Sequence, residues 1–384
     1  MKTKLFFFLT FLALGPFLYG QTVVDLRGDT DPGCLSDAIG NATGAIDVIL
    51  DGGMEYAIGS RSVGNTMRVR TDSSATEPAV ISISSNFWLG AVTLDSVVFD
   101  GVRISGNGNY GFNNGNNYTV DAVVFRNCQL QNLSGLWRAK ASSSSLGSFT
   151  LENCVVDTVG EYSLVRAESG NAVDTVRINN STVFRTKALV RMNTDPDLVS
   201  LEDVTLCEAN DSAHWLNAMF VFYGSFTDLT LTNVLVGPGT RGEIGGIDCS
   251  NPGTVTVTNS YHTNDYIEDQ NMAIPNLSAY SGSSTALWDD PANGDFTIID
   301  GNFTGKNSTG DPRWRPTGLS LPPGKIFPGA VGYGTDSDGA YGGTTDPVIL
   351  IVDTLHAGNF STGTNRGTFL WAVTRSYPRV VLFE

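Results

Sequence analysis

Apolar and polar residues alternate in seven short segments that recur along the chain. Each segment has apolar residues at every second position, then a small polar residue, and then a further apolar position. Alternation with a period of two predicts a β-strand, and the small polar residue predicts a turn. The segments cover residues 97–104, 123–130, 149–156, 176–183, 199–206, 229–236 and 255–262.

The turn residues of these segments recur at a nearly constant interval, with spacings of 26, 26, 27, 23, 30 and 26 residues. A single coil of short strands cannot bury its apolar side, whereas stacked coils bury it and also pair their strands. The repeat therefore predicts a right-handed parallel β-helix with about 26 residues per rung, a rung being one turn of the solenoid. Asparagine suits the stacked turn because it tolerates left-handed backbone and its amide can bond to its copy in the next rung. The turn residues are Gly101, Asn127, Asn153, Asn180, Asp203, Asn233 and Asn259.

The ends of a β-helix expose unpaired backbone groups and need a cap. The amphipathic segment "GCLSDAIGNA" at 33–42 predicts an N-terminal cap helix. A second segment of the same form, "GTFLWAVTRS" at 367–376, is followed by strand-like "RVVLFE". The pattern therefore predicts that residues 327–384 form the cap and first strand of a second, truncated β-helix, preceded by a linker over 317–326.

The first twenty residues have the pattern of a signal peptide. Lys2 and Lys4 precede the apolar run Leu5 to Leu14, and the small residue Gly20 offers a cleavage point. We therefore expect a secreted protein, extracellular or periplasmic, whose first domain covers 21–316. The run is short and is broken by Pro16, and no later stretch could span a bilayer, so we expect no membrane span.

The charge of the chain limits its partners. A formal net charge of −16 argues against binding to nucleic acid and to anionic membrane surfaces. A polyanionic partner would need a local cationic patch or bridging metal ions. The chain has five cysteines, an odd number, and their spacings match no zinc motif. Buried thiols are the prediction that this pattern favours, although the sequence does not fix their disulfide state.

The C-terminal segment has a recognisable pattern. Its stretches "FPGAVGYG", "GTFLWAV" and "PRVVLFE" are similar to the start of pectate lyases of the Pel/Amb-allergen type, which read FPGAEGFG, GSLRxAV and PRxIVF. Tyr341 and Leu370 depart from this pattern, because each stands where the family has arginine. The resemblance implies Ca²⁺ as the cofactor of a complete module and catalytic residues on rungs beyond Glu384. It assigns no catalytic residue and no cofactor to this chain.

A second resemblance covers about residues 80 to 316. The stretches "WDDPANGDFTI" and "GDPRW", at 288–298 and 310–314, look like the end of an uncharacterised right-handed β-helix domain. That domain occurs in secreted Bacteroidota proteins, often directly upstream of a pectate lyase module. It has no established activity, so the resemblance implies an architecture and a neighbour, not a site.

One basic feature repeats with the rungs. The stretches "LWRAK", "LVRAE" and "LVRMN" place Arg138, Arg166 and Arg191, the arginine row, at intervals of 28 and 25 residues. Stacked strands lie about 4.8 Å apart, so the three guanidiniums could form one strip. Lys140 points to the same side as Arg138 by alternation. Such a strip would suit an acidic plant or algal polysaccharide of the pectate type.

The alternative for the arginine row is structural. Arginines at outward strand positions commonly pair with neighbouring acids, and Glu168 and Asp195 are close in sequence. The row would then stabilise the surface and bind no ligand.

Two functions follow from these patterns. The first is a secreted polysaccharide-acting protein, part of a pectate lyase-like enzyme that cleaves polygalacturonate by β-elimination. In that protein the first β-helix would bind the polysaccharide or act as a spacer for the enzyme. The second is a non-catalytic carbohydrate-binding or adhesin-like surface β-helix. The residues do not decide whether the first β-helix is itself an enzyme, and they leave any metal ligand unknown.

Overall fold

The computed structural model describes residues 21–141, 143–210, 218–239, 243–269 and 271–316, together with the backbone of two strands at 348–352 and 379–383. The chain divides into two compact units, and the boundary in the sequence falls between Asp311 and Pro312. The predicted signal peptide at 1–20, the linker at 317–326 and the helix at 367–376 lie outside the described residues.

The first unit is a stack of short parallel strands. About 55% of the chain is strand, wound into a β-solenoid of about nine turns. The strands that form it are β1 (Thr22–Asp25), β2 (Ile46–Leu50), β3 (Glu55–Ile58), β4 (Arg61–Val63), β5 (Met67–Thr71), β6 (Ala79–Ile83), β7 (Phe87–Leu89), β8 (Thr93–Asp100), β9 (Val102–Ser105), β10 (Tyr110–Asn114), β11 (Thr119–Arg126), β12 (Gln129–Leu133), β13 (Gly135–Ala139), β14 (Ser145–Glu152), β15 (Val155–Ala167), β16 (Ala172–Met192), β17 (Leu198–Cys207), β18 (Ala218–Ser225), β19 (Asp228–Thr232), β20 (Leu235–Val236), β21 (Glu243–Asn251), β22 (Thr254–Thr258), β23 (Tyr261–His262), β24 (Ile267–Glu268) and β25 (Ser278–Ala279).

The strands stack into three parallel sheets that run along the solenoid axis. Strands β15, β16 and β17 are long enough to turn a corner, so each contributes to more than one sheet. The predicted parallel β-helix is therefore confirmed. Sheet one contains β1, β2, β5, β8, β11, β14, β16, β17, β19 and β22; sheet two contains β3, β6, β9, β12, β15, β16, β17, β20, β23 and β25; sheet three contains β4, β7, β10, β13, β15, β16, β18, β21 and β24.

The register of the rungs follows the sequence repeat. Thr93 pairs with Thr119, Thr119 with Ser145 and Ser145 with Ala172, at the intervals that separate the predicted turn residues. All seven predicted turn residues have left-handed backbone, with φ between 45° and 68°. The repeat read from the sequence is thus the repeat of the structure.

Asparagine side chains connect successive turns. The Asn153 amide Nδ2 donates to Asn127 Oδ1 at 2.6 Å, and Asn259 Nδ2 donates to Asn233 Oδ1 at 2.7 Å. Each amide can donate to one rung and accept from the next, because it carries both a donor and an acceptor. The neutral amide therefore suits a position that is repeated at the spacing of the rungs.

A second row of left-handed residues was not predicted. Thr158, Arg185 and Glu208 have φ of 64°, 54° and 50°, and Asn132 precedes them in the same row at 54°. A β-branched residue such as threonine is disfavoured in this region. Only the asparagine gives a turn signal in the sequence, so the residue types concealed this corner.

The interior of the solenoid is apolar and stacked in the same register. Phe99 and Phe125 lie one rung apart with ring centroids 5.3 Å apart and nearly parallel planes. Phe149 continues the column at 5.9 Å from Phe125. All five cysteines are free thiols and four of them are buried, as predicted, whereas Cys249 is half-buried.

Helix α1 (Cys34–Asn41) caps the N-terminal end, as predicted from the segment at 33–42. Its buried side includes Leu35 and Ile39. On its outer side the Asp37 carboxylate accepts from Arg61 Nη2 at 2.8 Å, which fixes the helix to strand β4.

A closing segment, residues 284–311, returns over the outside of the rungs. It contains α2 (Ser284–Leu287), β26 (Trp288–Asp290), a 3₁₀ turn (Pro291–Asn293) and β27 (Asp295–Ile298), which is antiparallel to β26. At its end, Asp311 is 1% exposed, accepts from Thr182 Oγ1 at 2.8 Å and donates its backbone N–H to Thr205 Oγ1. These contacts join residues more than a hundred positions apart in sequence.

The second unit includes a 3₁₀ turn at Pro312–Trp314 and strands β28 (Val348–Val352) and β29 (Arg379–Phe383). The two strands pair in parallel, with Val348 opposite Arg379. Among the described residues, no helix is long and apolar enough to cross a bilayer.

The asparagine turns generate a test of the fold. Replacing Asn153 by alanine removes the side-chain bond and leaves a residue that disfavours a φ of 54°. Glycine also removes the bond, but it tolerates this backbone conformation. We expect Asn153→Ala to lower the free energy of unfolding by about 1 kcal/mol more than Asn153→Gly. Thermal melting of both variants measures this difference.

Asn117 provides the matched control, because it is exposed and lies outside the left-handed rows. Asn117→Ala should change the melting temperature little. Equal losses for the alanine and glycine variants at position 153 would show that the left-handed backbone does not contribute.

Candidate functional site

The arginine row lies on the outer side of sheet three. Arg138 of β13 pairs in register with Arg166 of β15, and Arg166 pairs with Arg191 of β16. The inward neighbours of Arg138, Trp137 and Ala139, are fully buried. Burial of these neighbours fixes the strand face, so the arginine points outward. The spacing in the sequence therefore does bring the three guanidiniums onto adjacent rungs.

One carboxylate serves two of the three arginines. Glu168 Oε1 accepts from Arg138 Nε at 2.9 Å and Arg138 Nη2 at 2.7 Å, and lies 3.0 Å from Arg166 Nη2. The side chains of Arg138, Arg166 and Glu168 are 19%, 11% and 28% exposed. This trio carries one positive charge in excess, within partly dehydrated surroundings.

Arg166 is the most enclosed of the three arginines. Its Nε and Nη1 atoms are buried, and neither makes a hydrogen bond with a described residue. Burial, and then repulsion by Arg191 and Arg138, lowers the pKa of Arg166. A buried cation costs stability when only one of its three nitrogens meets a partner, so this side chain is not explained by stabilisation of the fold.

Tyrosine rings flank the arginine row. The Arg166 guanidinium lies 4.6 Å from the centre of the Tyr162 ring, and Arg138 lies 5.4 Å from the Tyr110 ring. At the far end, the Arg191 guanidinium lies 4.9 Å from the ring of Tyr223, which is 53% exposed. These are cation–π distances.

Sequence reasoning missed the rings of Tyr162 and Tyr223. Tyr162 and Tyr223 lie at different offsets from their arginines and share no common motif, so no spacing signal connects them. Only the folded rung brings each ring over a guanidinium.

The predicted neighbours of the row are placed differently from one another. Glu168 is an ion-pair partner, as the structural alternative expected. The Oδ1 atom of Asp195 accepts from the backbone N–H of Ser225 at 2.7 Å. Lys140 is exposed beside the row. It occupies the position equivalent to Glu168 on the preceding rung, since Ala139 pairs with Ala167. The arrangement thus combines positive charge, aromatic rings and a periodic spacing.

Another charged cluster lies at the second left-handed row. Arg185 binds the Asp157 carboxylate through two bonds, Nε at 2.8 Å and Nη2 at 2.6 Å. Burial raises the pKa of the nearby Glu208. The Asp157 charge is matched by Arg185, so this cluster has the character of a structural ion pair. In the part of the chain that is described, no group of three or more His, Cys, Asp or Glu side chains is placed to hold a metal ion.

Comparison with known proteins gives one match. Residues 199–314 match the model of a domain of unknown function, DUF5123. The matched stretch covers the last rungs and the closing segment, in agreement with the resemblance to an uncharacterised β-helix domain. It includes Tyr223 but none of the three arginines. No curated protein and no solved structure matches the chain.

The enclosed position of Arg166 generates a stability test. Replacing it by methionine removes a buried cation and its repulsion by two neighbours, while Glu168 keeps its two bonds from Arg138. We expect Arg166→Met to raise the free energy of unfolding by about 1 kcal/mol, and therefore the melting temperature by a few degrees. Calorimetric or spectroscopic melting measures the change.

Arg126→Met is the control, because Arg126 is 37% exposed and pairs with Glu152 on sheet one. It should alter stability by about 0.5 kcal/mol or less. A loss of several degrees in Arg166→Met would mean that the arginine supports the fold, and it would remove the argument for a ligand.

Proposed function

We propose that the solenoid binds an acidic polysaccharide of the pectate type along sheet three. The observation that carries this proposal is the register of Arg138, Arg166 and Arg191 on three successive rungs, with tyrosine rings beside them. A polyuronate offers one carboxylate per sugar along an extended chain. A row of guanidiniums repeated about every 4.8 Å presents donors at a comparable interval.

The chemistry of the site fits such a polymer in two ways. Guanidiniums bind carboxylates through charge-assisted hydrogen bonds. Tyrosine rings present an apolar face and a polar edge, which suits the mixed surface of a sugar ring. Tyr223 is more than half exposed and adjoins Arg191, so an exposed ring lies next to a positive charge at one end of the row.

The rest of the proposal concerns context. The sequence at 1–20 supports export, and the segment 327–384 resembles the start of a pectate lyase module. We propose that the solenoid acts as the binding or spacing part of a secreted pectin-degrading protein, with Ca²⁺ serving the complete lyase module. The alternative is an adhesin-like surface solenoid, for which the same face would contact an acidic glycan without any breakdown.

Binding can be tested by removing the arginine row. Changing Arg138, Arg166 and Arg191 together to glutamine should weaken binding to polygalacturonate by about tenfold at low ionic strength, since each partly exposed charged contact contributes about 0.5 kcal/mol. The difference should shrink as salt is added, because screening weakens exposed charges. Affinity electrophoresis in gels containing the polymer measures both effects.

The matched control changes Arg103, Arg126 and Arg185 to glutamine, because these arginines lie away from the row and the variant has the same net charge. It should bind like the unaltered protein. Equal weakening in both triple variants would attribute binding to overall charge, and unchanged binding in the first would make the row structural.

The lyase part of the proposal has a separate test. With Ca²⁺ and polygalacturonate, the 384-residue protein should release no unsaturated product, because no catalytic residue of the resembled family corresponds to a residue of this chain. The ultraviolet absorbance of the product measures this, with a complete pectate lyase as the positive control. Clear Ca²⁺-dependent activity would mean that the solenoid has an active site of its own.

A further inference from the structure

Glu168 occupies the place that a ligand carboxylate would need. Its Oε1 atom takes both available N–H groups on one edge of Arg138 and lies against Nη2 of Arg166. Two guanidiniums that converge on one carboxylate oxygen show that this point of the row binds a carboxylate. The protein therefore fills its own binding geometry with one of its own side chains.

The other approaches to Arg166 are closed. The Tyr162 ring lies over its guanidinium at 4.6 Å, and its Nε and Nη1 atoms are buried. The Glu168 side chain, by contrast, is 28% exposed and begins just after the end of strand β15. An anion that contacts both arginines in the way that Glu168 does must displace this side chain.

We propose that Glu168 is an internal competitor that makes the site selective for polymers. This inference rests on the proposed function and names the residue that sets its specificity. A tethered carboxylate has an effective concentration in the millimolar range or above, so a single free carboxylate cannot displace it at lower concentrations. A polymer can make further contacts along the row, at the exposed Lys140 and at the exposed Tyr223 ring, and these contacts supply the affinity that displacement requires.

The inference predicts how affinity depends on ligand length. Glu168→Gln keeps the shape of the side chain and an oxygen acceptor, but it replaces an ion pair by a weaker bond to a neutral acceptor. We expect trigalacturonate to bind this variant about tenfold more tightly than it binds the unaltered protein. Long polygalacturonate should gain only about twofold, since its other contacts already displace the carboxylate.

The experiment uses isothermal titration at low ionic strength with trigalacturonate, polygalacturonate and dextran sulfate as probes. The control variant is Glu152→Gln, which removes the same charge from an ion pair with Arg126 on sheet one. Melting curves establish that both variants remain folded. The expected result is a gain for trigalacturonate in Glu168→Gln that is absent in Glu152→Gln.

Each other outcome overturns a defined claim. If the unaltered protein binds polygalacturonate and Glu168→Gln gains nothing with trigalacturonate, or if both variants gain equally, Glu168 is not a competitor. If Glu168→Gln binds dextran sulfate more tightly while no form binds polygalacturonate, the competitor stands and the pectate-type function falls. If no form binds any of the three probes, both proposals are wrong.

Discussion

The stacking of one rung on the next is the constraint on which the other features of this solenoid depend. A single coil cannot bury its own apolar side, so the core exists only because parallel strands lie in fixed register about 4.8 Å apart. The same register places equivalent side chains above one another on the outside. Any residue type that recurs with the repeat therefore meets its own copy, and the chemistry of that residue decides whether the encounter stabilises or destabilises the fold.

The two repeated polar rows show both results. Asparagine carries a donor and an acceptor, so Asn153 and Asn259 each donate to the rung before them, and the left-handed backbone suits the residue type. Arginine carries donors alone. Its row therefore repels itself, and a single carboxylate, Glu168, lies between Arg138 and Arg166. The fold explains the first row fully and gives no reason for the second.

Features that repeat along the chain could be predicted from sequence, and contacts between residues that do not repeat could not. The left-handed residues from Gly101 to Asn259, the cap helix and the in-register arginines all follow from spacing and residue type. The corner at Thr158 uses a residue that opposes the conformation, because packing of the neighbouring strands overrides local preference. Of the partners of the row, Glu168 was expected, whereas Tyr162 and Tyr223 were not, because their offsets from the arginines differ. The contacts of Asp311 join distant segments, which no local pattern reports.

The position of the site relative to the family match bears on how such solenoids acquire function. The matched stretch, 199–314, contains the last rungs and the closing segment, in which Asp311 and Trp288 are buried. Arg138, Arg166 and Glu168 lie before it, on rungs whose inward residues alone are needed for stacking. Outward positions of a solenoid can change without loss of the core, provided that each change tolerates its neighbours above and below. A cationic row between two such rungs is costly unless something offsets its charge, and Glu168 offsets part of that charge inside the protein. A polyanion would neutralise the remaining positive charge. The excess of positive charge that destabilises this face would therefore strengthen binding.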